Sequence, residues 1–334
     1  MSFEAGPAAS IVDRVRPVGA VGAVVAVGFL GSTAAFVLGE EAILLVAPDG
    51  SEQRVAAHAG GIVAAVVTDT HVISGGDDGK VAVTDRNGRC DDVAQDPKRR
   101  WIDQVAGGPQ GVIAWTAGKT AFVRTGDGEA RTLELPSSAG GLAFAPKGLR
   151  LAIARYNGAT LWFPNAAAPP EKLEWKGSHL GVTFSPDGKF LVTTMQEPML
   201  HGWRLADSKH MRMSGYSAKV RSVAWTADGR ALATAGSEQL VLWPFQGKDG
   251  PMGKTPRMLA PRDTRVVAVA CHPAQDVAAV GYADGMLLLV RLDDGAEVLA
   301  RRPEGDAISA IAWSRGGDRV AFATEAGSAG ILPL

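Results

Sequence analysis

SHLGVTFSPDGKFLVTTMQEPMLHGWRL, residues 178–205, and SAKVRSVAWTADGRALATAGSEQLVLWPF, residues 217–245, decide how this 334-residue chain is read. Each stretch has the same order of parts. An apolar run ends in Phe or Trp, and a turn of the Pro-Asp-Gly kind follows. A second run of Leu, Ala, Val and Thr leads through a polar or Gly turn into a third run near a Trp. An earlier copy, GGLAFAPKGLRLAIARYNGATLWF, occupies residues 140–163. Apolar runs of roughly 4 to 8 residues bounded by turn signals are strands. No segment reads as an amphipathic helix of ten or more residues.

Working outward, the third run recurs along the chain. Its anchors are Leu45, Val83, Phe122, Trp162, Trp203, Trp243, Leu289 and Ile331, spaced 38 to 46 residues apart. A repeat of about 40 residues with four strands in each is the pattern of propeller blades, whose apolar faces are hidden only against their neighbours. The sequence therefore predicts an all-β fold: one domain over residues 1–334, a single β-propeller of eight four-stranded blades. The alternative is seven blades, with the weak first unit something else. The last unit, residues 308–334, has room for three strands only. The N-terminal strand, about residues 10–17, is expected to complete it and close the ring. The widest spacing contains Phe245 to Asp263, a Gly/Pro-rich stretch expected to be a surface loop.

The FSPDG of residues 184–188, the GGDDGKVAV of residues 75–83 and the Leu242–Trp243 pair resemble the WD-repeat family. His58 and His179 lie near the place of that family's Gly-His dipeptide. The resemblance spans nearly the whole chain and is strongest in the second, fifth, sixth and seventh units. The chain departs from the family at the terminal Trp-Asp dipeptide: Trp162 precedes Phe163, Trp203 precedes Arg204 and Trp243 precedes Pro244. Asp78 and Asp284 match the family's turn Asp, while the other turns carry Asn157, Glu197 or Glu238. The resemblance thus does not carry a His–Asp hydrogen-bond network into most units. It implies a protein-interaction scaffold. The Ala-, Gly-, Val- and Arg-rich composition is of the kind that high-GC bacterial coding produces, so a bacterial source with divergent repeats is expected.

Composition narrows the function. Basic and acidic residues number 34 and 35, a net charge of −1, which gives no general attraction to a phosphate backbone. Two distant cysteines, Cys90 and Cys271, make neither a disulfide framework nor a zinc pattern and fit a reducing, cytoplasmic setting. The apolar stretch from Val18 to Leu30 follows Glu4 and Asp13 instead of a basic leader, and is too short to span a bilayer. It reads as a buried strand.

The motifs that could carry chemistry are weak. Gly118–Lys119–Thr120 and Gly253–Lys254–Thr255 look like phosphate-loop ends. The Gly required five positions earlier is replaced by Ile113 and Lys248, and no helix follows, so both read as ordinary turns. The histidines (58, 71, 179, 201, 210 and 272) form no HxH or HExxH pair. There is no GxSxG elbow. Acidic residues gather in the turns at Glu40, Glu41, Asp77, Asp78, Glu197, Glu238, Asp284 and Glu325, where turn conformation explains them.

The interaction reading is more specific. The loops that enter each blade carry Arg100, Trp101, His179, Lys219, Arg221, Arg265 and Asp306, and these are the candidate partner-binding residues. Arg and Trp dominate binding hot spots. Trp101, beside Lys98, Arg99 and Arg100, is the sharpest cluster; it either begins a buried strand or stands exposed as an anchor. The expected function is a non-catalytic, monomeric scaffold that presents a loop-lined face to a protein or peptide. It needs no cofactor, catalytic residue or metal ligand, and engages neither nucleic acid nor membrane. Two alternatives stand beside it: an enzyme or small-ligand binder at the channel mouth, and an accessory protein in metal handling.

Overall fold

Strands of three to seven residues dominate the chain because its apolar runs are short, alternate in burial and end at turn residues. A computed structural model describes residues 9–19, 22–126 and 128–334; Glu4, Ala20 and Val21 of the readings above lie outside them. Among the described residues there are only strands and two short 3-10 turns, and no helix is long and apolar enough to cross a membrane.

The strands form seven sheets. In chain order, the first holds Val24–Leu30, Thr33–Leu38, Ala42–Val46 and Glu52–Ala56. The second holds Ile62–Val67, His71–Gly76, Lys80–Asp85 and Cys90–Gln95. The third holds Gln104–Gly107, Ile113–Ala117, Thr120–Arg124 and Arg131–Glu134. The fourth has six strands: Ala139–Phe144, Leu151–Trp162, Glu171–Phe184, Phe190–Met195, Met199–Arg204 and Lys209–Ser214. The fifth holds Val223–Trp225, Ala231–Thr234, Leu240–Pro244 and Arg257–Leu259. The sixth holds Val266–Cys271, Val277–Tyr282, Leu287–Arg291 and Glu297–Arg301, with Ala9–Ser10 added. The seventh holds Ile308–Trp313, Arg319–Thr324, Ala329–Pro333 and the N-terminal Arg16–Val18.

The expectation of eight separate four-stranded blades is therefore corrected to a β-propeller of seven sheets, one of them six-stranded. The merger lies in the fourth sheet and not in the first unit, which is an ordinary four-stranded sheet. Two strands of 12 and 14 residues, Leu151–Trp162 and Glu171–Phe184, run through the places where separate strands were expected. Tyr156 pairs with Ser178 and Gly158 with Glu174, so one unit's ladder continues into the next. The sheet packs its two halves on each other: Ala152, Leu161 and Leu173 of one half share a core with Phe184, Leu191 and Trp203 of the other.

The N-terminal strand does join the last sheet, a little later than expected. Arg16, Pro17 and Val18 pair antiparallel with Ile331, Gly330 and Ala329. Ahead of them, Ala9 and Ser10 pair parallel with Val298 and Leu299 of the sixth sheet. The stretch expected as a surface loop after Phe245 contributes the outer strand Arg257–Leu259.

The chain divides into two compact units. Among the described residues, one comprises residues 9–38, 46–51 and 216–334, and the other comprises residues 39–45 and 52–215. Within each unit, facing sheets enclose apolar cores. Leu240, Leu242, Val280 and Leu288 meet between the fifth and sixth sheets. Ala114, Ala121, Leu151 and Ile153 meet between the third and fourth.

Candidate partner-binding surface

The loop from Asp96 to Asp103, which enters the third sheet, is built around one carboxylate. Asp96 accepts hydrogen bonds from the backbone N–H groups of Lys98 (3.0 Å) and Arg100 (2.9 Å), an Asx-type turn. Its other oxygen takes the Arg100 guanidinium at 2.7 Å. The Arg100 guanidinium holds the Asp96 carboxyl below the usual carboxylate range. The backbone is tied to the second sheet by Asp96 N to Gly79 O (2.8 Å) and Ile102 N to Gly76 O (3.1 Å). Arg99 adopts a left-handed φ of 51°, the reversal that lets the loop fold back on Asp96.

This scaffold settles the two readings of Trp101. Ile102 turns inward and is 0% exposed, packed over Gly75, where a Cβ would come 2.7 Å from its own. Trp101, its neighbour, turns outward and is 61% exposed. A large apolar side chain thus stands exposed on a loop whose backbone is held by hydrogen bonds to Asp96 and to the second sheet.

The other candidates are distributed as follows. His179 is 1% exposed and lies inside the fourth sheet. Burial lowers its pKa, so the ring is neutral: Nε2–H donates to the Trp175 carbonyl at 3.1 Å, and Nδ1 accepts from the Thr193 hydroxyl at 2.7 Å. It is a structural residue and offers no surface. Arg100 braces the loop through Asp96. In the other unit, Arg221 and Arg265 are exposed and Lys219 is half-buried, in the loops that enter the fifth and sixth sheets. Asp306 accepts from Ala326 N at 3.0 Å and so fastens two turns of the seventh sheet. Trp101 and Arg100 thus share a unit, while Lys219, Arg221, Arg265 and Asp306 belong to the other.

Sequence reasoning missed Tyr156, 59% exposed within the strand Leu151–Trp162 where the pairing shifts register before Gly158. The Tyr-Asn-Gly string was the available signal, since Asn and Gly accept the positive φ values, 63° and 129°, at which the strand is bulged. The matches of His58 and Asp78 to the resembled family's His and turn Asp meet in the second sheet as a clamp, whereas the tyrosine clamp of the fifth sheet was missed. His58 Nδ1 lies 3.1 Å from Asp78 Oδ1, and Nε2 lies 2.8 Å from Ser74 Oγ. This is the connectivity of a Ser-His-Asp triad. Ser74, however, is 0% exposed, and Asp78 also holds the N–H groups of Ala59 and Lys80 at 3.0 Å. The arrangement clamps a turn to its sheet. In the fifth sheet a tyrosine takes the corresponding role. Trp243 Nε1–H donates to Tyr216 Oη at 2.6 Å, and Tyr216 Oη meets Thr234 Oγ1 at 2.7 Å.

Among the described residues, no group of three or more His, Cys, Asp or Glu is arranged to hold a metal ion. The densest ring cluster is Trp175, His201, Trp203 and His210, with His201 stacked 4.1 Å from Trp175. His201 is fully buried, and neither of its ring nitrogens has a partner. Burial, aided by His179 and His210, pushes its pKa down to about 3. A cavity of about 410 Å³ lies between the fifth and sixth sheets. Leu242, Pro244 and Leu292 form its apolar wall, and Arg230, Lys254 and Asp276 stand at its rim.

Comparison with known proteins agrees with this architecture. Residues 208–243 match the family described as WD domain, G-beta repeat. A stretch of 112 residues is 29% identical to WD repeat-containing protein 1-B of Xenopus laevis, covering 33% of this chain and 16% of that protein's length. Among solved structures, the computationally designed Ika8 protein superposes with a TM-score of 0.78 at 15% identity, covering 95% of this chain and 98% of its own. The C-terminal WD40 domain of Sif2 superposes with a TM-score of 0.77 at 13% identity, covering 98% and 99%. Residues 208–243 thus carry a repeat similar to the WD domain, and the fold of the chain is that of a β-propeller.

Proposed function

We propose that the chain is a non-catalytic scaffold that binds a protein or peptide partner through the entry loop carrying Trp101. The observation that carries this reading is the contrast within two residues: Ile102 is locked into the core while Trp101 stands 61% exposed on a hydrogen-bonded loop. Hot spots are enriched in Trp, and a pre-ordered anchor lowers the entropy lost on association. WD40 propellers commonly serve as interaction scaffolds, and the reading accords with that use.

The test is affinity purification of the full chain from its native cell, followed by mass spectrometry, in parallel with the Trp101→Glu variant. A stoichiometric partner recovered by the native chain and lost by the variant, at equal thermal stability, is the expected result. A partner recovered equally by both would remove Trp101 from the function.

A further inference from the structure

The surroundings of Trp101 define what it would bind, granted the docking reading above. Three cations stand on the same pair of loops, Lys98 and Arg99 before it and Lys119 in the neighbouring turn. All three are exposed, and none takes part in an ion pair among the described residues. The two loops touch: Gly118, beside Lys119, would place a Cβ 3.5 Å from the Arg100 guanidinium.

The nearby carboxylates are already engaged. Asp96 is matched by Arg100. Asp103 accepts from Gly118 N at 2.8 Å, and Asp78 holds His58 and two backbone N–H groups. Glu134 accepts from Thr120 Oγ1 at 3.0 Å, and the Asp77 carboxylate lies over Gly60 and Gly61. A ligand that reaches Trp101 therefore meets unpaired cations first, while each of these anions already has hydrogen-bond donors or backbone against it.

We propose that the Trp101 loop receives an acidic linear peptide: an aromatic or aliphatic side chain packs on the indole, and flanking Asp or Glu residues pair with Lys98, Arg99 and Lys119. A single-stranded nucleic acid would also use an aromatic and cations. The peptide is favoured because the chain's net charge of −1 gives no general attraction to a phosphate backbone.

The experiment is selection of random twelve-residue peptides displayed on phage against the full chain. Trp101→Ala and the triple variant Lys98→Glu, Arg99→Glu, Lys119→Glu serve as parallel targets, and a labelled oligo-dT strand as a separate probe. The expected outcome is enrichment of sequences with Asp or Glu beside an aromatic or aliphatic residue. Synthetic copies should bind at least tenfold more weakly to either variant and several-fold more weakly when salt rises from about 50 to 200 mM. Trp101-dependent peptides that are neutral or basic, or that bind the triple variant equally, overturn the acidic partner and leave the docking reading standing. Oligo-dT binding lost in the variants overturns the peptide in favour of nucleic acid. No Trp101-dependent enrichment overturns both the inference and the docking reading.

Discussion

At the scale of single residues, neighbours divide the core from the surface. Ile102 is fully buried against the second sheet, so Ile102→Ala leaves a cavity and is expected to destabilise by about 3 kcal/mol. Trp101 is exposed, and Trp101→Ala is expected to change stability by less than about 0.5 kcal/mol. Urea denaturation of both variants checks the pair, and a large loss for Trp101→Ala would show that its ring packs on the fold after all. His201 gives a pH prediction. Its native pKa of about 3 lies below the ordinary value of 6.5. Between these values the unfolded chain binds a proton that the native chain refuses. Stability is therefore intact above pH 6.5 and declines as pH falls toward 3, by about 2 kcal/mol at pH 5. His201→Phe keeps a ring in the stack and removes two unpartnered nitrogens, so it should raise stability at pH 7 by about 1 kcal/mol. It should also flatten the decline between pH 7 and 5. Denaturation midpoints of both proteins at the two pH values decide it, and equal slopes would refute the role of His201.

At the scale of elements, the strands were legible and their joins were not. Short apolar runs closed by FSPDG or by TADGR announce strand, turn, strand wherever they occur, because the period of two and the turn chemistry are both local. The join between consecutive units is not local. From Trp175 to Ser178 no Pro or Asp interrupts the chain, and whether the ladder stops there depends on the partner strand, in particular on Tyr156 finding Ser178. The direction of Trp101 was hidden for a related reason: which of two adjacent residues faces inward depends on where Asp96 ends its turn. Tyr216 was illegible as a clamp because the sequence pattern looks for histidine there. The merged sheet turns at Gly158, which has a φ of 129° and lies against the Leu173 carbonyl, so a Cβ would collide with backbone. Gly158→Ala is expected to cost more than about 2 kcal/mol and to raise amide exchange in Leu151–Trp162 and Glu171–Phe184 first. Exchange that rises uniformly over the chain would mean that the join has no separate role.

At the scale of the whole molecule, the N-terminal strap connects parts far apart in sequence. Residues 9–11 lie along Glu297–Arg301, with Ile11 N–H bonded to Leu299 O at 2.8 Å. Arg16–Val18 then supplies the outer strand of the seventh sheet. Between them, Ile11 and Val15 pack onto the core shared by the sixth and seventh sheets, and Val15 covers Gly330. Deleting residues 1–18 removes two aliphatic side chains from that core, each worth about 1.5–3 kcal/mol when fully buried, and leaves Ala329–Pro333 with one unpaired edge. For a chain of this size the loss corresponds to a fall in Tm of roughly 5 °C or more. An exposed strand edge is also a template for pairing with another chain, so the shortened protein should associate as its concentration rises. The double variant Ile11→Ala, Val15→Ala separates the two effects. It weakens the packing but keeps the backbone pairing of residues 16–18, so its Tm should fall while it stays as monodisperse as the native chain. Calorimetry with light scattering on the three proteins tests this directly. A shortened chain that melts at the native temperature without associating would show that the strap adds nothing to the sheets it lies on.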